Sequence, residues 1–106
     1  MHIDPDTWLR AVCDDPLTTQ SAGKVACELV SGFKNTSSGS YQVSIERLAD
    51  LSGVHNLQTL RRSIDRLRSR GWLIVERDVS PSRGMTYWPN IPARGLYAER
   101  YPRGNK

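Results

Sequence analysis

The stretch from Leu57 to Gly71 constrains the fold more than any other part of the sequence. Its apolar residues recur at the three- and four-residue spacing of a helix that buries one side, namely Leu57, Leu60, Ile64 and Leu67. Asn56 is a favoured helix N-cap, and Gly71 is the residue type favoured just past a helix C-terminus. The pattern therefore predicts a helix from Asn56 to about Arg70, with one buried and one exposed side.

The rest of the chain predicts three more helices and a small amount of β structure. The helices are expected over about 5–13 with an Asp4 cap, from a Thr18 or Thr19 cap to Phe33, and from a Ser44 cap to about Leu51. Residues 41–43 are β-prone, and strands are expected over 72–79 and 85–88. Turn residues at 80–84 join the last two strands into a hairpin. The predicted fold class is mainly α with a small antiparallel β-hairpin.

Basic residues are concentrated in the second part of the chain. Residues 1–60 carry four basic and seven acidic side chains, a net charge of −3, whereas residues 61–106 carry eleven and four, a net charge of +7. Twelve of the 15 basic residues are arginine. The planar donor fork of arginine suits phosphates and guanine edges, so this distribution favours nucleic acid as the partner. The alternative is an ordinary solvated basic face.

The predicted helix from Asn56 to Arg70 would turn polar side chains away from its apolar side. A step of 100° per residue places six residues outward: Gln58, Thr59, Arg62, Asp65, Arg66 and Ser69. Glutamine suits adenine and arginine suits guanine in the major groove of DNA. Arg61 lies at the flank, where a phosphate contact is expected. The alternative is a solvated arginine-rich helix without a nucleic-acid role.

The predicted hairpin adds a second set of candidate contacts. Arg77 and Arg83, with Ser80 and Ser82, are placed to reach backbone phosphates, and Arg83 at the tip is placed to enter a minor groove. The alternative is an exposed turn without a role. The three aromatic residues of the hairpin region are expected in the core or an interface rather than stacked on bases: Trp72, Tyr87 and Trp88.

Two segments carry a resemblance to a known family. Residues 43–54 read VSIERLADLSGV and residues 59–73 read TLRRSIDRLRSRGWL. In this order of elements they resemble the winged helix-turn-helix family of DNA-binding proteins, in its bacterial regulator and phage or plasmid forms, over residues 18–88. His55 stands as one extra turn residue, which predicts a tilt of the fourth helix. The resemblance implies a winged helix-turn-helix domain at 18–92, a helical extension at 1–17 and a basic tail at 93–106.

The predicted function is sequence-specific binding of double-stranded DNA in transcriptional regulation. The residues expected to contact DNA are Asn56, Gln58, Thr59, Arg61, Arg62, Arg66, Arg77, Ser82 and Arg83. One alternative is a phage or plasmid factor for replication, partition or excision. Another is a protein-interaction module whose arginine face meets an acidic partner.

Other classes of protein lack support in the sequence. There is no glycine-rich phosphate loop, nucleophile elbow or paired-carboxylate motif, so neither enzymatic activity nor a cofactor or small-molecule ligand is expected. His55 has no potential metal ligand at suitable spacing, so no metal site is expected. No apolar run is long enough to span a membrane, and the first residues lack secretory signal features, which predicts a cytoplasmic location. Cys13 and Cys27 are expected to be buried thiols.

The segments outside the predicted winged domain suggest a homodimer. Trp8, Leu9 and Val12 would form an apolar patch on the first helix, and Tyr97 and Tyr101 would supply aromatic anchors in the tail. The alternative is that both segments pack against their own domain.

Overall fold

A computed structural model describes residues 3–77 and 84–92 of the chain. Its elements, in chain order, are α1 (Pro5–Asp14), α2 (Gln20–Lys34), β1 (Tyr41–Val43), α3 (Ile45–Ser52), α4 (Leu57–Ser69), β2 (Leu73–Arg77) and β3 (Met85–Pro89). The described part is mainly helical with a small antiparallel sheet, as the sequence predicts. The helix boundaries lie within about one residue of those expected from the sequence.

Each helix begins at a side-chain cap that accepts a hydrogen bond from the backbone N–H three residues later. The four caps are Asp4, Thr19, Ser44 and Asn56. Thr19 rather than Thr18 caps α2, because the Thr18 hydroxyl instead donates to the carbonyl of Val12 at 2.7 Å. The end of α4 is also as expected, since Gly71 has a φ of 89° and its N–H donates to the carbonyl of Arg68.

The sheet has three strands rather than the two of the predicted hairpin. Their order is β1-β3-β2, and both neighbouring pairs are antiparallel. Tyr41 lies opposite Tyr87 and Val43 opposite Met85, so β1 extends the hairpin on its β3 side. This pairing joins residues far apart in the chain, and the β-prone composition of 41–43 alone did not reveal the partner strand.

One apolar core joins all four helices to the sheet. Helix α2 is central and packs against α1, α3 and α4. The rings of Trp8 and Phe33 meet edge to face with centroids 5.4 Å apart. The Trp8 Nε1–H also donates to the carbonyl of Trp72 at 2.8 Å and to that of Asn90 at 3.2 Å. These contacts attach α1 both to α2 and to the end of the β2–β3 pair where β2 begins and β3 ends.

The prediction that α1 exposes an apolar dimerisation patch is wrong. Trp8 and Val12 are fully buried in the core, and Leu9 packs against it. Their apolar surface is buried within the core, where α1 packs against α2, so it is not free to meet a second copy. Tyr97 and Tyr101 lie outside the described residues. The core therefore crosses the boundary at residues 17 and 18 that the sequence indicated.

The expectation for the two cysteines is also wrong. Cys13 and Cys27 are both exposed free thiols. Each follows a buried residue, Val12 or Ala26, and a step of 100° along the helix carries the thiol off the apolar side. None of the four described helices combines the length and apolar character needed to cross a membrane.

Candidate nucleic-acid interface

Helix α4 has a sharply divided surface. Its buried side chains are Leu60, Ser63, Ile64 and Leu67, which face α2 and the sheet. The exposed residues are Gln58, Arg61, Arg62, Asp65, Arg66, Arg68 and Ser69. The polar Ser63 is satisfied on this buried side, because its hydroxyl donates to the carbonyl of Thr59 one turn earlier, at 2.9 Å. Five of the six residues predicted to point outward are exposed; Thr59 is half-buried, and Arg61 and Arg68 are exposed as well.

The four arginines of α4 differ in how they are held. Arg66 donates to the carbonyl of Leu17 at 3.3 Å, and Arg68 forms an ion pair with Asp65 at 3.3 Å. The side chains of Arg61 and Arg62 make neither a hydrogen bond nor an ion pair with any other residue in the part of the chain that the structure describes. Two guanidinium groups are therefore available to an external anion or base edge.

Open grooves run along both flanks of α4. The larger, of about 720 Å³, lies towards the start of α2 and is lined by Thr19, Ser21, Thr59, Arg62, Ser63, Asp65, Arg66, Arg68, Ser69 and Arg70. The smaller, of about 380 Å³, lies towards the sheet and is lined by Ile45, Arg61, Ile64, Asp65, Arg68, Val75 and Met85. The hydroxyls of Thr19 and Ser21 were not predicted as part of the site, because only packing of α2 against α4 brings them there.

The sequence-predicted residues at the start of α4 have different surroundings. Asn56 is exposed, but its side-chain oxygen accepts the backbone N–H of Thr59 at 3.0 Å as the helix cap. Thr59 is half-buried and lines the larger groove. Gln58 is exposed. The structure thus brings Gln58, Thr59, Arg61, Arg62 and Arg66 together on one helix, with Asn56 occupied in capping.

A buried carboxylate holds the other end of α4. Asp15 accepts hydrogen bonds from Arg70 at 2.9 and 3.0 Å, from the Trp72 Nε1–H at 2.8 Å and from the backbone N–H of Leu17 at 3.0 Å. Burial raises the pKa of Asp15, but these donors, Arg70 foremost, outweigh that effect and lower it to about 2. The sequence indicated only a helix end at Asp15, since its partners lie more than 50 residues away.

The base of the hairpin rests on the junction between β1 and α3. Gly84, with a φ of 81°, precedes β3, and a Cβ there would lie 2.6 Å from the carbonyl oxygen of Val43. Arg77 ends β2 opposite Met85. The side chain of Arg77, and all of Ser80, Ser82 and Arg83, lie outside the described residues, so their predicted contacts stay predictions.

Comparisons with known proteins do not assign the chain to a family. No protein-family model matches the chain, and neither a curated protein nor a solved structure gave a match. Within residues 3–77 and 84–92, no three side chains of histidine, cysteine, aspartate or glutamate are grouped so as to hold a metal ion.

Proposed function

We propose that this protein binds double-stranded DNA sequence-specifically through α4 and regulates transcription. The observation that carries the proposal is the exposed side of α4, where unpartnered Arg61 and Arg62 stand among polar side chains opposite a buried apolar side. A helix with its side chains is about 10–12 Å across, and the major groove is about 12 Å wide. The grooves along both flanks of α4 leave room for the two phosphate backbones.

The order of elements supports a winged helix-turn-helix as the finer description of the fold. Helices α3 and α4 are separated by the short turn 53–56, and α4 is followed directly by the β2–β3 pair. In this proposal α4 is the recognition helix and the β2–β3 hairpin is the wing. Gly53 ends α3 with a φ of 81°, which permits the tight turn that brings α4 across α3.

The proposed contacts divide by role. Gln58 and Arg62, near the centre of the exposed side, read base edges. Arg61 and Arg66, on opposite flanks of α4, contact phosphates. In the proposed wing, the residues that contact the backbone are Arg77, Ser82 and Arg83.

We extend the proposal to a homodimer on DNA, in the cytoplasm. One recognition helix reads only a few base pairs, and a two-fold pair reading two half-sites gains affinity and specificity. Because Trp8 and Val12 belong to the core, the dimer contact would use a surface other than the apolar side of α1. Sedimentation equilibrium of the full chain, alone and with duplex DNA, measures the stoichiometry, and a monomer in both conditions overturns this extension.

Fluorescence anisotropy with labelled random-sequence duplex DNA at low salt tests the central proposal. The full chain is expected to bind, and an Arg61→Ala/Arg62→Ala double variant is expected to bind weakly. Arg10→Ala is the matched control, because Arg10 is an exposed arginine on α1, remote from α4 in the sequence. Absence of binding to any duplex at low salt, or an equal loss in the control, overturns the proposal.

A further inference from the structure

We propose that Asp65 determines specificity by accepting a hydrogen bond from the exocyclic amino group of a cytosine in the major groove. This inference rests on the proposed DNA-binding function of α4. It assigns a role to the one acidic residue of a helix whose exposed side otherwise carries arginines and neutral polar groups.

The position of Asp65 singles it out. It lines both grooves beside α4, so its carboxylate stands on the crest of the exposed side rather than at either flank. Its side chain is 67% exposed. Gln58 and Arg62, which we propose as base-reading residues, lie two turns and one turn earlier on the same side of the helix.

The stability of the fold does not explain a carboxylate at this position. The ion pair of Asp65 with Arg68 is 3.3 Å long and exposed at both ends, so it contributes little to folding. Asp65 is the ninth of the 13 residues of α4, which puts it outside the first turn, where the helix dipole favours an acid. Asp65 is also not one of the buried residues of α4.

The carboxylate would also weaken non-specific binding, because it repels the phosphates that the neighbouring arginines attract. A base edge that donates a hydrogen bond compensates for this repulsion. An ionised carboxylate only accepts hydrogen bonds, and the N4 amino group of cytosine is the donor that it matches in the major groove. The amino group of adenine stands beside the N7 acceptor, which a carboxylate does not complement.

Selection of bound duplexes from a random pool tests the inference, using the full chain and the variants Asp65→Ala and Asp65→Asn. The wild type should prefer cytosine at one position, by about 5- to 150-fold. Asp65→Ala should lose that preference, and Asp65→Asn should move it towards adenine, because asparagine both donates and accepts. Preferences at the other positions should stay unchanged.

Asp6→Asn is the matched control. Asp6 is also exposed, at 63%, and also forms an ion pair, with Lys34 at 2.8 Å. It lies at the start of α1, whereas the end of α1, at Asp15, is the part that contacts the end of α4. Asp65→Ala should bind random duplex several-fold tighter than the wild type, and Asp6→Asn should not. Equal gains in the two variants, or identical base preferences for the wild type and Asp65→Ala, overturn the inference. Absence of any duplex binding by the wild type overturns the proposed function itself.

Discussion

Asp15 and Arg70 join the end of α1 to the end of α4 through two parallel hydrogen bonds, although 55 residues separate them in the chain. The Asp15 side chain is 2% exposed and that of Arg70 is 15% exposed, so the pair is largely removed from solvent. Trp72 donates to the same carboxylate from the start of the sheet region. One acidic side chain thereby ties together α1, the candidate recognition helix and the approach to β2.

Replacing Asp15 with alanine is expected to lower the free energy of unfolding by about 3–5 kcal/mol, because it removes the buried carboxylate that accepts from both Arg70 and the Trp72 N–H. Urea denaturation measures the loss. The double variant Asp15→Ala/Arg70→Ala should be less destabilised than the sum of the two single variants. Asp65→Ala, which removes an exposed ion pair, should cost less than about 1 kcal/mol. If Asp15→Ala also costs less than about 1 kcal/mol, the Asp15–Arg70 pair does not have the structural role that we assign to it.

Stability should fall in acid in a window that Asp15 defines. Its pKa is lowered from 3.8 to about 2 in the folded chain, so the folded state favours the ionised form. The resulting stabilisation is fully present above about pH 4 and is lost as the pH falls towards 2. It amounts to about 2 kcal/mol. Between pH 5 and 2, the free energy of unfolding should decline less steeply for Asp15→Asn than for the wild type, as measured by denaturation at a series of pH values. If the two proteins give parallel curves, Asp15 does not cause the loss of stability in acid.

The first helix should be required for folding. Trp8 is fully buried and contacts Phe33, Trp72 and Asn90, so Trp8→Ala should cost about 3–5 kcal/mol. A truncated chain of residues 16–92 should lack a cooperative thermal transition in circular dichroism. Cys13→Ser, an exposed change on the same helix, is the control and should change stability little. A stable 16–92 fragment would show that the rest of the chain folds without α1.

Binding to duplex DNA should depend steeply on salt. Each neutralised phosphate contributes a slope of about −0.9 to the plot of log K against log salt concentration. Arg61→Ala and Arg66→Ala should each make that slope shallower by about 0.9 and weaken binding to all sequences alike. Arg83→Ala should do the same if the proposed wing contacts the backbone. A slope that is unchanged in all three variants would exclude these residues from phosphate contact.

Arg62 and Gln58 should affect sequence preference rather than general affinity. Replacing either with alanine should cost about 1–3 kcal/mol at the preferred site and little on random duplex. Competition binding with the selected sequence and with random DNA measures the difference. If Arg62→Ala keeps the affinity and the preferred sequence of the wild type, α4 does not present Arg62 to the bases.

The candidate interface illustrates how far sequence reasoning reaches. The spacing of Leu60, Ile64 and Leu67 was enough to predict which side of α4 faces solvent, because a buried stripe on a helix determines the opposite side geometrically. The contributions of Thr19 and Ser21 were missed because they depend on how α2 is placed against α4. The same packing determines that Arg66 donates to the carbonyl of Leu17, whereas the side chains of Arg61 and Arg62 form no hydrogen bond or ion pair with a described residue.

By itself, the sequence determined the features that arise within a few residues of chain. These are the four helices, their caps at Asp4, Ser44 and Asn56, the stop at Gly71 and the arginine-rich exposed side of α4, whereas the choice of Thr19 over Thr18 as the cap of α2 came from the structure. Each depends on local hydrogen bonds or on helical periodicity. Tertiary structure alone decided the pairing of β1 with β3, the burial of Trp8 and Val12 and the partner of Asp15. Those features depend on which distant surfaces of the chain meet. The sequence shows that a helix has an apolar side or that a residue is charged, but it does not specify which distant residues will contact that side or that charge.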